Sequence, residues 1–435
     1  MKLKIIKTQK LVVTTFVTLS MFAFSCMSDK LINEHIEEQT KKNYSVSYEE
    51  ALAEVNAILK FMNNENGNFI KSSKKRKIAN YYKTDVKSIS LKTIEEGEEE
   101  TENDFFFYVF NFEDNEGFAI ISGDSRITSV LAVTEYGNLE QGSEINYASM
   151  AYFLDGLLGL IEYMDINEFL DDGSGPPYHY EYTPWEEEVI GSKIGSKWHQ
   201  GNPYNNECPY IGGIRAFAGC VTVAVGQIMY YHGWPQWYNG YQFDWEDMKQ
   251  PLGPPNFTGT GMVARLIQQI GLPQNLNVSY STEEGSSAYA DNVPRTFVNM
   301  GYASGGTLSP YNYNQLYTEI ANNRPVLVRG NSLMIKKPKT FGGYTITYSG
   351  GHAWVIDAIL KRSRVKKLFW NGKLVSQTSE IIWLVNCNWG QHDSNNNGWY
   401  YSGVFNENAG PVLKVHGEEG NYQYNLEMIT GIRKN

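Results

Sequence analysis

Hydrophobic positions recur at helical spacing in two segments of the chain. In residues 47–62 the apolar side chains fall on one face of a helix, and Ser47 and Glu50 have the spacing of a capping box. In residues 220–232 apolar side chains again share a face, and the pattern stops at Gly233, which a Trp-Pro pair follows. Both segments are predicted to be helices.

Other parts of the chain have the composition of β-strands. Residues 104–133 hold two runs rich in aromatic and β-branched residues around a polar turn. Shorter apolar runs lie between Gly-rich turns at 326–328, 353–359 and 381–385, which is typical of a twisted sheet or half-barrel. With a further helical pattern at 149–164, the chain is predicted to be α+β.

Residues 171–177 contain only Asp, Gly, Ser and Pro, and they interrupt both patterns. Because 435 residues exceed what one ordinary core organises, we predict a smaller unit before about residue 175 and a larger one after it. An exposed segment of this composition is where proteolytic cleavage is expected. The predicted organisation is a signal peptide (1–25), a tether (26–42), an N-terminal domain (43–175), a linker with a cleavage region (176–190) and a C-terminal domain (191–435).

The first residues have the pattern of a bacterial export signal. Four lysines in the first ten residues precede an apolar stretch at 11–24, which is too short to span a bilayer comfortably. The stretch ends in Ala23-Phe24-Ser25-Cys26, which resembles a loose lipoprotein box, although the bulky Phe24 departs from it. We expect export, either as a surface lipoprotein attached to the membrane through an acylated Cys26 or as a secreted protein.

Composition excludes some functions and points to a free thiol. A net charge of −11 argues against nucleic acid as a partner, because phosphate binding needs a basic surface. The chain has four cysteines, and if Cys26 carries lipid an odd number remains, so at least one free thiol is expected. Sequence alone leaves open whether Cys208 and Cys387 pair.

Cys220 is the cysteine best placed for chemistry. It follows Gly219 and begins a predicted helix, where unpaired N–H groups and the helix dipole lower the pKa of a thiol. A buried structural cysteine is the competing interpretation, since free cysteines are commonly buried. The sequence context around the other polar residues has to decide between them.

His352 supplies that context. It follows two glycines and begins a strand-like run, about 130 residues after Cys220, which is the separation expected for papain-type Cys and His partners. Asn386, Asn388 and Trp389 come later, and a third polar group is needed to orient the imidazole, with an indole to shield it from water. The order Cys, His, Asn is the papain order.

Several long stretches resemble the streptopain family of secreted cysteine peptidases. The matching segments of the larger unit are residues 199–205, 219–232 and 350–357, and the smaller unit resembles that family's inhibitory propeptide at 117–126. The resemblance implies a papain-like fold with a helical part and a twisted antiparallel sheet, preceded by a small α+β prodomain. It also implies a zymogen that hydrolyses protein or peptide substrates and is inhibited by its own propeptide.

The resemblance also implies a role for each matching residue. Cys220 would be the nucleophile and His352 the base, and the reaction would pass through an acyl-enzyme. Gln200 would donate to the oxyanion beside the backbone N–H of Cys220. Trp389 would wall the site near the imidazole, and Asn388 is the expected orienter of that imidazole, with Asn386 close enough to compete.

Two parts of the chain depart from the family pattern. Residues 391–393 (Gln-His-Asp) replace the usual second Trp and Gly pair, which puts the shape of the adjacent cleft wall in doubt. The Gly-rich loop near the C-terminus is shortened, to residues 406–410 and 417–420, so substrate preference is expected to differ.

No metal or cofactor is expected. Residues 393–398 fit the opening of an EF-hand loop, but its twelfth position is Val404 in place of Glu, which favours an Asn-rich turn over calcium binding. The histidines show no paired ligand spacing for zinc.

Two other functions remain possible for this scaffold. One is a catalytically silent surface-binding lipoprotein, against which the presence of Cys220, His352 and Gln200 argues. The other is a cysteine acyltransferase or amidase, because the same pair of residues serves any acyl transfer.

Overall fold

The structure of the chain is a computed structural model that describes most of the sequence after residue 44. The described residues are 45–63, 75–85, 106–125, 127–141, 150, 153–154, 156–157, 178–283, 285–338, 344–391, 396–405, 412–415, 418–421 and 424–435. The predicted signal peptide, Cys26, the tether, the turn at 171–177, most of the helix at 149–164 and the loop at 406–410 lie outside them. We call residues 45–157 the N-terminal region and residues 178–435 the C-terminal region.

In the described part of the N-terminal region, a helix at residues 48–62 packs on an antiparallel meander. In helix α1 (Tyr48–Met62) the Ser47 hydroxyl accepts from the Glu50 N–H, and the Glu50 carboxylate accepts from the Ser47 N–H, which confirms the predicted capping box. The strands pair in chain order, and the predicted strand segment 104–133 is confirmed. They are β1 (Ile78–Asp85), β2 (Phe106–Phe112), β3 (Phe118–Ser122) and β4 (Val130–Thr134).

Most helices of the C-terminal region share one hydrophobic core, to which buried residues of the strands also contribute. Helix α2 begins at Cys220, is buried from Val221 to Met229, and ends at Gly233, which is in the left-handed conformation that closes helices. Its predicted bounds are therefore confirmed. The helices are α2 (Cys220–His232), α3 (Trp245–Met248), α4 (Phe257–Gly271), α5 (Val293–Asn299) and α6 (Tyr313–Ala321).

One large antiparallel sheet runs through both regions of the described chain. Besides β1 to β4, its strands are β5 (Tyr178–Tyr182), β6 (Glu186–Gly191), β11 (Tyr302–Pro310), β12 (Val326–Pro338), β13 (Tyr344–Trp370), β14 (Lys373–Asn388), β15 (Gly398–Tyr401) and β18 (Tyr424–Lys434). The strand order is β1-β2-β3-β4-β15-β14-β13-β12-β18-β11, and β5 and β6 pair with β13. With the helices this confirms the α+β class. Two-stranded ribbons are formed by β7 (Tyr210–Ile211) with β8 (Ile214–Arg215), β9 (Trp237–Tyr238) with β10 (Tyr241–Gln242), and β16 (Val412–Val415) with β17 (Glu418–Asn421).

The segment predicted as a linker, residues 176–190, contains strands β5 and β6. Both are hydrogen-bonded along β13, and cations of β13 lie over tyrosine rings of β5: Lys366 Nζ is 4.1 Å from the Tyr180 ring centre and the Arg364 guanidinium 4.1 Å from that of Tyr182. The alternating tyrosines are a strand signal that the neighbouring Gly-Pro segment concealed.

The two regions join through strand pairing. Strand β4 pairs with β15, with Val133 opposite Trp399, so the meander continues the sheet of the C-terminal region. Gly398 is required here, because a Cβ at that position would overlap with the carbonyl oxygen of Val133. On one face of the sheet α1 packs against buried Leu360, Leu384 and other apolar residues of β13 and β14.

Charged groups also cross the junction. Glu54 of α1 accepts from Trp185 Nε1 at 3.0 Å and pairs with Arg362 and Arg364 at 3.4 and 3.2 Å. Glu135, after β4, forms a buried ion pair with Lys193. Because Arg362 is fully buried, removing Glu54 would leave Glu187 of β6 as its remaining carboxylate partner among the described residues.

Candidate active site

Cys220 lies at the first position of α2, after a glycine that the geometry requires. Gly219 has φ 87°, and a Cβ there would lie 2.8 Å from the Ser286 carbonyl oxygen. Cys220 is half-buried, and its thiol lies near the backbone N–H groups of Cys220, Val221 and Ala353. The last of these belongs to the peptide that joins Ala353 to His352, so the thiol lies beside the histidine's own backbone.

His352 is buried in β13 and is held by a backbone carbonyl. Its Nε2 lies 2.9 Å from the carbonyl oxygen of Trp389. Because a carbonyl can only accept, Nε2 carries the proton and Nδ1 is left with the lone pair. The imidazole lies between two indoles, with ring centres 6.2 Å from Trp354 and 6.1 Å from Trp389. This tautomer leaves Nδ1 to take a proton from a thiol.

Burial shifts both ionisable groups toward their neutral forms. It raises the pKa of the Cys220 thiol, while the surrounding backbone N–H groups pull that pKa down in part. It lowers the pKa of His352 to about 4, and the hydrogen bond to the Trp389 carbonyl opposes that shift. Both shifts therefore favour the neutral thiol and the neutral imidazole.

Gln200 lies beside the loop that leads to Cys220. Its backbone carbonyl accepts from the Ala218 N–H at 2.9 Å, two residues before the thiol. The loop at 285–286 flanks the same place, since Ser286 donates to the Phe217 carbonyl and a Cβ on Gly285 would lie 4.0 Å from Gln200 Oε1. The structure thus brings Gln200 and Cys220 to one end of α2.

The structure differs from the prediction that the Asn388 side chain orients His352. Asn388 Nδ2 donates to the Ser196 carbonyl at 2.8 Å, and its Oδ1 accepts from Gln227 Nε2 at 2.8 Å. The histidine instead contacts the backbone of the next residue, Trp389. The reason is local: Gly390 has φ 63°, and this turn presents the Trp389 carbonyl to the imidazole. The alternative, Asn386, is buried in β14 opposite Trp399.

Two residues around this turn were not singled out from the sequence. Gln227 is fully buried on α2, seven residues after Cys220 and therefore on the same face of the helix. Asn397 Oδ1 accepts from the Trp389 N–H at 2.8 Å. The sequence signal for Gln227 is a polar residue inside an otherwise apolar helix. Asn397 belongs to the Asn-rich turn that was compared with an EF-hand loop, and that comparison gave its side chain no role.

The other candidate chemistry of the described residues is limited. They contain no group of three His, Cys, Asp or Glu side chains that could hold a metal ion. Nor does any helix among them have the length and apolar composition to cross a bilayer. Cys208 and Cys387 are buried free cysteines, and burial raises the pKa of Cys208 to about 11 and raises that of Cys387 as well. Neither has the helix-terminus setting of Cys220.

Comparison with known proteins assigns both regions. Residues 198–400 match the Peptidase C10 family, and residues 43–157 match the Spi protease inhibitor family. Streptopain of Streptococcus pyogenes serotype M1 is 24% identical over 299 residues, which cover 58% of this chain and 67% of that protein. The thiol protease/hemagglutinin PrtT of Porphyromonas gingivalis is 26% identical over 223 residues, covering 46% of this chain and 23% of that protein.

A solved structure is also similar. A fragment of prointerpain A from Prevotella intermedia superposes with a TM-score of 0.49 and 18% identity, covering 78% of this chain and 98% of that chain. The order of the family matches along the sequence, an inhibitor-type region followed by a C10 peptidase region, is that of a precursor. The C-terminal region is thus a streptopain-like C10 cysteine-type endopeptidase region, and with the inhibitor-type region before it the chain is the zymogen of a cysteine peptidase with an N-terminal propeptide.

Proposed function

We propose that the peptidase cleaves peptide bonds with Cys220 as nucleophile and His352 as general base. Nδ1 of His352 takes the thiol proton, and the thiolate attacks the peptide carbonyl to form a tetrahedral oxyanion. The imidazolium then protonates the leaving amine, and water hydrolyses the acyl-enzyme. Gln200 and the Cys220 N–H are proposed to donate to the oxyanion, with Trp389 as the wall that keeps water from the imidazole.

One contact carries this proposal. The Cys220 thiol lies near the Ala353 N–H, while the imidazole of the preceding residue, His352, has its Nε2 bonded to the Trp389 carbonyl. The proposed nucleophile and the backbone of the proposed base therefore lie together at the start of one helix. Cys208 and Cys387 have no such neighbour in the described contacts, which is why Cys220 is the proposed nucleophile.

We also propose that the N-terminal region inhibits through its contacts beside this site. The Glu135 N–H donates to the Asn397 carbonyl at 2.9 Å, and Phe153 packs on Tyr400 with ring centres 4.9 Å apart. Tyr400 in turn packs on Trp389 at 5.4 Å. The propeptide thereby contacts the residues that hold His352, and its release would change their surroundings.

The proposed activation cut leaves β6 with the peptidase. Strand β6 is paired along β13, and its Glu187 is the carboxylate that Arg362 keeps after Glu54 departs. A cut within the predicted region 176–190 is therefore expected at or before Trp185, and N-terminal sequencing of the mature fragment tests this. A mature fragment that begins after Gly191 contradicts it.

The test is labelling with a peptide-epoxide probe before and after limited proteolysis of the purified precursor. Processed wild type and Cys208→Ala, the matched control for a buried cysteine, should be labelled and should hydrolyse casein, whereas processed Cys220→Ala should do neither. The unprocessed precursor should resist labelling. Labelling that persists in Cys220→Ala, or wild type that stays unlabelled in every form, would overturn the proposed nucleophile.

Export is proposed from the sequence of the first residues. The cationic start, the apolar stretch at 11–24 and Cys26 support a lipoprotein signal, and the propeptide arrangement suits an enzyme that is activated after export. Metabolic labelling with an alkyne fatty acid should mark the wild-type chain and leave Cys26→Ser unmarked. Equal labelling of both would contradict acylation at Cys26.

A further inference from the structure

The peptide unit that faces His352 is fixed from both of its ends. In the planar peptide between Trp389 and Gly390, the carbonyl contacts His352 Nε2 at 2.9 Å and the N–H donates to Asn388 Oδ1 at 3.3 Å. Because the peptide group is planar, the position of Asn388 Oδ1 sets the direction in which the carbonyl points. Asn388 therefore acts on the imidazole through one peptide unit.

Asn388 Oδ1 is itself placed by two amides. Gln227 Nε2 donates to it at 2.8 Å and Asn397 Nδ2 at 3.2 Å. Asn397 also accepts from the Trp389 N–H through Oδ1, so it holds the residue on the other side of the same turn. The backbone around the histidine's partner is thus tied to α2, the helix that begins at Cys220.

The contacts of Gln227 and those of Asn397 differ in whether they depend on the propeptide. Among the described residues Gln227 bonds only to groups of the C-terminal region, Asn388 and the Trp198 carbonyl at 3.4 Å, and neither of these bonds depends on the propeptide. Asn397 is additionally held by the Glu135 N–H of the propeptide. Gln227 is accordingly the anchor that remains in the mature enzyme, and its full burial protects that bond from competing water.

We propose that Gln227 and Asn397 are positioning residues for His352, which hold the Trp389 carbonyl on Nε2 by way of Asn388. The proposal rests on the proposed function of Cys220 and His352 and adds what keeps the base in register with the nucleophile. A tilted peptide would weaken the hydrogen bond to the protonated ring, so the imidazolium would lose its proton at lower pH. The consequence is a change in the pH profile in addition to a loss of rate.

The test is the pH dependence of kcat/KM for a peptide substrate, with the full-length chain activated by limited proteolysis. Gln227→Met keeps the length of the side chain and removes the amide. We expect kcat to fall about tenfold with KM nearly unchanged, and the limb of the profile that His352 governs to move to lower pH by about half a unit. Gln269→Met is the matched control, because Gln269 is another buried helical glutamine, bonded to Asn239 and remote from this network in the described contacts.

Asn397→Ala keeps the proposal testable if Gln227→Met does not fold, and it should shift the profile in the same direction. If both variants keep the wild-type profile, or lose rate only as Gln269→Met does, the positioning role is wrong. If the wild type itself neither hydrolyses the peptide nor shows enhanced alkylation of Cys220, the proposed catalytic function is what has failed.

Discussion

Helix α2 has an imidazole at each end, the buried His352 beside its first residue and the half-buried His232 as its last. Burial lowers the pKa of both histidines to about 4. Their partners differ: His352 contacts the Trp389 carbonyl and adjoins a thiol, whereas His232 Nδ1 contacts the Tyr302 hydroxyl at 3.2 Å. The comparison teaches that a displaced histidine pKa does not by itself mark a catalytic site, and that the role proposed for His352 depends on the neighbouring thiol.

The two ends of α2 also differ in the partners of their backbone N–H and carbonyl groups. At the start, Gly219 offers no side-chain cap, and the N–H groups of Cys220 and Val221 lie near the thiol. At the end, the Gly233 N–H bonds to carbonyls of the last turn, and Lys434 Nζ donates to the His232 carbonyl at 3.0 Å. Backbone N–H donors are therefore available for chemistry at the first residue of α2, while backbone carbonyl acceptors are hydrogen-bonded at its last turn.

The largest expected effect separates the two histidines. His352→Gln should lower peptide hydrolysis by a factor of roughly 10⁴ to 10⁶, as loss of a catalytic base does in a nucleophile–base pair. His232→Gln should retain wild-type hydrolysis, because its contacts are with Tyr302 and the end of the helix. Steady-state kinetics on the processed enzymes decide the matter, and comparable losses in the two variants would remove the distinction between the ends.

A second comparison uses one glutamine from each end. Gln200→Ala should lower kcat by about 10² to 10³ with a smaller change in KM, because it removes a proposed oxyanion donor. Gln236 donates to the Gly233 carbonyl at 3.1 Å, so Gln236→Ala should cost no more than about 1 kcal/mol of stability and leave kcat unchanged. A kcat for Gln200→Ala equal to that of Gln236→Ala would exclude Gln200 from the oxyanion site.

A third comparison uses two glycines with positive φ. A Cβ on Gly390 would lie 2.7 Å from Val223 Cγ1 of α2, so Gly390→Ala should displace the Trp389 carbonyl and lower kcat about tenfold or more. Gly233→Ala meets nothing closer than 3.8 Å and should cost about 1 kcal/mol of stability from backbone strain alone. Thermal melts beside kinetics separate the two, and equal kcat values would show that the Gly390 turn does not control the histidine.

The local patterns predicted the helix that holds the proposed nucleophile. Gly219 and Gly233 bracket α2 in the sequence as they do in the structure. The catalytic pairing of Cys220 with His352 stays a prediction from their spacing, and the structure supports it by placing the thiol near the N–H of Ala353, the residue after His352. What residue orients His352 was not predictable in this way. That choice depends on the φ of Gly390, which selects between the Asn388 side chain and the Trp389 carbonyl, and sequence spacing is the same for both.

The continuous sheet was also beyond local patterns. Strand β4 pairs with β15, although more than two hundred residues separate Val133 from Trp399, and nothing in either segment encodes its partner. Gln227 illustrates the same limit on a smaller scale. Its position inside an apolar helix indicates a buried polar role, but its partner Asn388 is known only when α2 is packed beside the end of β14.

The smallest expected effect is on the pH dependence of stability, through His232 at the C-terminal end of α2. The folded pKa of His232 is about 4 against an ordinary value of 6.5, so between these values the unfolded chain binds a proton that the folded chain does not. Stability should therefore fall as the pH drops from about 6.5 to 4, and His232→Gln should remove about 1 to 3 kcal/mol of that fall, allowing for partial exposure of the ring. Urea denaturation of the precursor at pH 7 and pH 4.5 measures the difference between wild type and variant. Cysteine protease activity of the processed variant at pH 7 should stay at the wild-type level, whereas an unchanged pH dependence of stability would mean that the end of the helix opens enough for His232 to titrate in water.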